Sequence, residues 1–284
     1  MLNRHKFERI NLLIDDNDKS LGDIHLVQIT DSHLFSSPDT CLGGMCTNES
    51  LEDVVALVNQ QGPIDYVLCT GDLAQDASIE AYQRFEKIVS AISAPKLWLS
   101  GNHDNFDNIK TAIGHDNPCL NKSKIIGNWK IIMLNSTVEG VVYGRLSANE
   151  LRFLDVELAV SQAAGQHVLV ALHHNSIPVE AEWLQQHNLR NSQEFQAVLD
   201  KYTHVRCVLF GHIHHVLERE RKGVLVLGSP STCSQFHPLR RNFTLDDLGP
   251  GYRWLRLSPE GSVETGINRV EGKDYNVDLF SSGY

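Results

Sequence analysis

Val205-Arg-Cys-Val-Leu-Phe210 runs directly into Gly211-His212-Ile213-His214. Six mostly apolar residues are too few for a free-standing helix and read as a strand, which the glycine ends. The same grammar occurs four times upstream. IHLVQIT (24–30) leads into Asp31-Ser32-His33. DYVLCT (65–70) leads into Gly71-Asp72, and KLWLS (96–100) into Gly101-Asn102-His103-Asp104. HVLVAL (167–172) leads into His173-His174. Carboxylates, an amide and imidazoles thus follow five strand-like runs. In open α/β sheets, sites form in the crevice beyond the strand C-termini.

The segments between these runs read mainly as helices. Leu51, Val54, Val55 and Val58 share a face over residues 48–59, and roughly 78–93 is a second helix with Tyr82 and Phe85 in its core. Ser147-Ala-Asn-Glu150 is a capping box opening a helix to about Ala163, and Asn191-Ser-Gln-Glu194 resembles another, before a helix to about Lys201. Further strands are expected at 129–134, 224–227, 254–257 and 263–267. Early alternation of strands and helices, followed by clustered strands, fits an α/β (α+β) protein with four αββα layers. No internal repeat or boundary divides the chain, so residues 1–284 are expected to form one domain. Its motif core is 22–232, and 233–284 supplies C-terminal strands and a tail.

The 284 residues carry a formal net charge of −10 and are 42% hydrophobic. Such a chain builds a sizeable core but offers no general basic face, which argues against nucleic acid or an anionic membrane as partner. An anionic phosphate substrate would then need local cations. Cys69 and Cys207 lie within apolar runs, while Cys41 and Cys46 lack the second pair a zinc site needs. The N-terminal MLNRHKFERINLLIDDNDKS shows no apolar signal core. A cytoplasmic location with free thiols is expected.

Alternate residues of an extended chain point the same way, so Asp31 and His33 can reach one ion if the backbone stays extended past its strand. His212 and His214 alternate likewise and can serve one ion each. Asp72 follows a glycine that permits close backbone approach, and its two oxygens can bridge two cations. Asn102 offers a neutral oxygen and His173 a last nitrogen. This mixed set suits iron, manganese, zinc or cobalt better than calcium or magnesium. Each piece alone has an ordinary explanation: Gly-Asp is mostly a turn, and Asn102 or Asp104 could cap a helix. Their order at five strand ends points to a dimetal site.

These motifs, D-x-H, G-D, G-N-H-D, H and G-H-x-H, resemble those of the calcineurin-like metallophosphoesterases over residues 22–232. QITDSHLF, TGDLAQD, WLSGNHD, Leu189-Arg190-Asn191, PSTCSQF (230–236) and NFTLDDLGPGYRWLRL (242–257) are similar to bacterial class III 3′,5′-cyclic-AMP phosphodiesterases. The resemblance implies one ion on Asp31, His33, Asp72 and His214, and another on Asp72, Asn102, His173 and His212. Iron or manganese is the implied metal, and His174 is assigned a structural role. A water activated between the cations would attack phosphorus. His103 is the candidate acid for the departing ribose 3′ oxygen, with Asp104 holding its imidazole.

His33, Asp72, Asn102, His103, His173 and His214 are expected to contact the substrate. Arg190 and Asn191 either join them, or are a solvated residue and a helix cap. Thr232, Cys233, Gln235 and Phe236 are expected to line the base pocket, whereas His115, His187, His215 and His237 are read as surface or packing residues. The implied activity is hydrolysis of 3′,5′-cyclic AMP to 5′-AMP. The alternatives are a broader phosphodiesterase, for instance on 2′,3′-cyclic nucleotides, or a metal-free scaffold. Monomer and homodimer both remain open.

Overall fold

The computed structural model describes residues 22–283. The N-terminal segment read above for targeting signals lies outside the described residues. In chain order the elements are β1 (Ile24–Ile29), β2 (Cys41–Leu42), β3 (Met45–Cys46), α1 (Thr47–Val58), β4 (Tyr66–Thr70), α2 (Ile79–Val89), β5 (Lys96–Leu99) and α3 (Phe106–Ile113). Then come β6 (Ser123–Ile126), β7 (Trp129–Met133), α4 (Ala148–Ala163), β8 (His167–Ala171), α5 (Ser192–Leu199), β9 (Val205–Phe210), β10 (Leu217–Arg221) and β11 (Val224–Gly228). β12 (Gln235–Phe236), β13 (Leu245–Asp246), β14 (Gly251–Leu257) and β15 (Val263–Arg269) complete the list.

Two sheets carry the fold. One runs β15-β14-β1-β4-β5 and the other β10-β11-β9-β8-β7-β6. β1, β4 and β5 are parallel, as are β7, β8, β9 and β11. Side-chain alternation builds the layers. Leu26 and Leu68 face Leu169, Ala171, Cys207 and Leu209 in a core between the sheets. The alternate residues Val27, Ile29, Val67 and Cys69 pack outward with α1, α2 and α3. On the far side, Val168, Val170, Val208 and Phe210 pack against α4 and α5. The result is the expected αββα stack.

The sequence reading did not include α3, β6, β10 or the two-residue strands β2, β3, β12 and β13. α3 follows the metal-ligand motif with only Ile109 fully buried. β6 and β10 are edge strands, and β10 exposes its central charged residues, so neither has the apolar signature of a central strand. A polar chain crosses the inter-sheet core beneath the strand ends. Arg253, fully buried, donates to Glu218 (2.8 Å), Thr265, Gly228 O and Ser229 Oγ (3.0 Å). Ser229 donates to Gln28, whose amide donates to Thr70 Oγ1 at 2.7 Å. Every buried polar group in this chain thereby gains a partner, as the low dielectric demands.

Candidate metal centre

The five motif loops meet where the two sheets end, and their backbone is not extended. Asp31, His33, Asp72, His212 and His214 have φ of 56°, 48°, 48°, 68° and 47°. This corrects the expected extended chain: alternate residues converge because the D-x-H and H-x-H segments turn through left-handed positions. Such a position costs a non-glycine residue roughly 1–2 kcal/mol. The loops hold it by mutual hydrogen bonds. Asp31 N donates to Gly71 O (3.0 Å) and His33 N to Asp72 O (2.9 Å). His212 N donates to both Asp31 carboxylate oxygens (3.0 Å), and His103 N to Asp72 Oδ1 (2.9 Å). A Cβ on Gly101 would lie 2.2 Å from Asp72 Oδ1, so the close approach requires glycine there.

The imidazoles are oriented from behind. His173 Nδ1 faces Thr70 O at 2.9 Å and His214 Nδ1 faces Ser234 O at 2.8 Å. A carbonyl only accepts, so each Nδ1 carries the proton and each Nε2 presents a lone pair. His33 Nδ1 is held by Gln75 Oε1 at 2.6 Å in the same sense. His173 Nε2 then looks into Asp72 Oδ2 and Asn102 Oδ1, both at 3.2 Å. His33 and His214 meet Nε2 to Nε2 at 3.1 Å, and Asp31 Oδ1 is 3.4 Å from His214 Nε2. His212 Nε2 is buried with no hydrogen-bond partner among the described residues. Electron-pair donors thus converge on one another, an arrangement that positive charge between them relieves. Asp31, His33, Asp72, His173 and His214 are at most 1% exposed.

The charge states agree. Burial holds His33 down to about 3 and His212 well below its ordinary value, so both are neutral imidazoles near pH 7 and free to offer a lone pair to a cation. Burial alone would raise Asp31 and Asp72. The imidazoles, His214 for Asp31 and His173 with His103 for Asp72, keep them ionised instead. Burial also opposes charge on His173, but the Asp72 carboxylate pushes it up to about 9. Without metal, a proton on His173 Nε2 supplies the positive charge that Asp72 demands, and a bound metal ion would displace it and take up the lone pair. Donor atoms of Asp31, His33 and His214 lie within 4.8 Å of one another, as do those of Asp31, Asp72 and His173. The residues present fit two metal ions, with Asp72 placed between the groups.

The profile of the calcineurin-like phosphoesterases matches residues 21–216. The chain belongs to this family. Among its relatives, the 3′,5′-cyclic adenosine monophosphate phosphodiesterase CpdA of Pseudomonas aeruginosa is 42% identical over 261 residues, covering 91% of this chain and 94% of the relative. The Escherichia coli K12 protein of that name is 40% identical, covering 92% and 95%. A 3′,5′-cyclic-nucleotide phosphodiesterase of Nostoc is 40% identical, covering 87% and 92%. A dimetal phosphatase from Danio rerio has the same fold with a TM-score of 0.60 at 16% identity, covering 87% of this chain and 98% of its own. Calcineurin-like phosphoesterases are dimetal proteins, and the Asp/His groups of this chain conform to that.

Several family-derived expectations need correction. Asp104, expected to hold the His103 imidazole, has a carboxylate that accepts the backbone N–H groups of Gly101 (2.8 Å), Leu73 (3.1 Å) and Ala74 (3.1 Å). It ties the Gly-Asp and Gly-Asn-His-Asp loops together. Burial, then the neighbouring Asp72 charge, push this carboxyl up to about 7 despite those donors. Asn191 is 4% exposed, and its amide brackets the backbone N–H and C=O of Leu146 (both 3.0 Å). It does not cap α5 with its side chain. Thr232, Cys233, Gln235 and Phe236, expected to line the base pocket, are at most 1% exposed. Phe236 instead stacks on His214, ring centroids 3.9 Å apart.

Other residues gain roles. His174 is structural: Nδ1 meets Ser136 Oγ (2.7 Å) and Nε2 meets Val142 O (3.1 Å). Arg190 is exposed over the Tyr143 ring at 4.8 Å. His187, read as a packing residue, sits with its ring 6.4 Å from His212, beside the metal centre. Gln75, which aims His33, was also missed, although it lies four residues beyond Gly71 in the TGDLAQD segment.

Proposed function

We propose that this chain hydrolyses 3′,5′-cyclic AMP to 5′-AMP and thereby lowers cyclic AMP inside the cell. The observation that carries the reading is the convergence of His173 Nε2, Asp72 Oδ2 and Asn102 Oδ1 beside the orphaned Nε2 of His212. The relatives of that named activity, at 40–42% identity over nine-tenths of both chains, narrow phosphoester chemistry to this substrate.

In this reading Asp31, His33, Asp72 and His214 hold one ion, and Asp72, Asn102, His173 and His212 the other. Two bound cations would neutralise the phosphate oxygens and lower the pKa of a water toward about 7. The donor set, oxygen and imidazole without thiolate, suits iron, manganese, zinc or cobalt, and the likeness to the cyclic-AMP phosphodiesterases favours iron or manganese among them. His33, Asp72, Asn102, His173 and His214 surround the phosphate. His103 is anchored by its amide to Asp72, with its ring edge-on to His33 at 5.1 Å. It gives its proton to the departing 3′ oxygen. A cleft of about 410 Å³ starts at Asn102 and is lined by Asn105, Phe106, Asn135, Thr137 and Glu139. It offers the nucleoside the space that 232–236 do not. Arg190, whose charge is felt at His187, is a further candidate for contact with the substrate. We also infer that the chain works as one domain, since β14 pairs with β1 and so completes the first sheet from the C-terminal region.

The test is hydrolysis by full-length protein reconstituted with manganese or iron. Rapid release of 5′-AMP from 3′,5′-cyclic AMP, abolished by Asn102→Ala, is expected. Equal or faster turnover of 2′,3′-cyclic AMP or an aryl phosphodiester would replace the substrate assignment while leaving the dimetal chemistry standing.

A further inference from the structure

Cys41-Leu-Gly-Gly-Met-Cys46 forms a hairpin between the Asp31 loop and α1. Gly43 and Gly44 have φ of 53° and 86°. Positive φ at both central residues is the signature of a type I′ turn, which suits a two-residue hairpin. Leu42 pairs with Met45, and Cys41 with Cys46. Beside such a turn the first pair exchanges hydrogen bonds. The next is the close, non-hydrogen-bonded kind, with Cα atoms about 4.5 Å apart and side chains on one face. Disulfides span Cα separations of about 4.4–6.8 Å. Opposed Cβ atoms in a ladder lie about 4.5–5.5 Å apart and those of a disulfide about 3.5–4.5 Å, so closure needs a contraction of about 1 Å. That small strain makes the bond easily reduced rather than permanent.

Leu42 and Met45 point inward, to Cys233 and Tyr275. The two thiols point the other way. Cys41 is exposed and Cys46 partly so. Each thiol reaches a carbonyl of the preceding loop, Cys41 that of Asp39 at 3.8 Å and Cys46 that of Pro38 at 3.5 Å. Cys69, Cys207 and Cys233 are buried.

We propose that Cys41 and Cys46 are a reversible modification site that closes to a disulfide with a small-molecule disulfide of the oxidised-glutathione type. One cysteine thiolate attacks a glutathione sulfur and expels one glutathione thiolate. The opposite cysteine then attacks the mixed disulfide and expels the second. Two cysteine thiols lose two electrons and two protons, and one oxidised glutathione becomes two reduced ones. The site is independent of the phosphodiesterase reading.

The experiment incubates full-length protein with oxidised glutathione, alkylates the remaining thiols and maps peptides by mass spectrometry without reduction. Expected are a Cys41–Cys46 link, no retained glutathione, and recovery of both thiols with dithiothreitol. Cys41→Ser, checked for native circular dichroism, is expected to hold a glutathione on Cys46 for about tenfold longer or more, because resolution is no longer intramolecular. Persistent glutathione on the wild-type pair, a Cys46–Cys233 link, or two unreacted thiols would each overturn the proposal.

Discussion

His173 and Asp72 belong to different sheets and meet at 3.2 Å, nitrogen to carboxylate oxygen. Asp31, Asp72 and Asn102 follow strands of the first sheet, and His173, His212 and His214 follow strands of the second. Ions bound there cross-link the sandwich. A metal present at 100 times its dissociation constant stabilises by about 2.7 kcal/mol. For a chain of this size each kcal/mol is worth about 2–4 °C. Chelation is therefore expected to lower the melting temperature by roughly 5–10 °C, and manganese to restore it. Identical melting curves with and without chelator would remove the metals from this site.

His103→Ala is expected to lower kcat by about 10²–10⁴-fold while the protein keeps its full metal content. Asn102→Ala is expected to lose both activity and metal. Steady-state kinetics beside elemental analysis separates the two, and loss of metal in His103→Ala would make His103 a ligand rather than an acid.

Asp104→Ala leaves three backbone N–H groups without their acceptor. A destabilisation of about 3 kcal/mol in urea titrations is expected. A residue that merely steered the His103 ring would leave stability unchanged and depress only kcat.

His33 has φ of 48°, where glycine carries no penalty. In metal-free protein, His33→Gly is expected to be more stable than His33→Ala by about 1 kcal/mol. At an ordinary extended position the order is reversed, so the sign of the difference decides.

Asp200 at the end of α5 receives Arg221 in a two-pronged contact, with Lys222 adding to it. These hydrogen bonds hold its carboxyl well below the usual range. A depressed folded pKa means stability present above the unfolded value near pH 3.9 and lost as pH falls below it. Asp200 is partly exposed, so the effect is at most about 1 kcal/mol. Wild type and Asp200→Asn are expected to differ at pH 7 and to converge near pH 2.

The strand-end motifs were legible because each couples an apolar run to a glycine or a polar cluster. The αββα layering followed from their spacing. What the sequence hid was backbone handedness: Asp31-Ser32-His33 has the same spacing whether extended or left-handed. Asn191 looked like a cap because Glu194 stands three residues on, yet its amide is taken by Leu146, 45 residues upstream. Residues 232–236 looked like a pocket because they lie downstream of the Gly211-His212-Ile213-His214 motif. They are consumed by bonds to the Asp31 loop, such as Thr232 N to Thr30 O. β10 was silent because Glu218, Arg219 and Glu220 face solvent.

β1 lies between β4 and β14, with Ile24 opposite Leu257. During synthesis the strand that carries Asp31 therefore keeps one edge bare until residues 251–257, more than 200 positions downstream, have been made. All five motif loops are thus synthesised before the partner that completes the first sheet, and an unpaired edge of this kind is open to pairing with other chains.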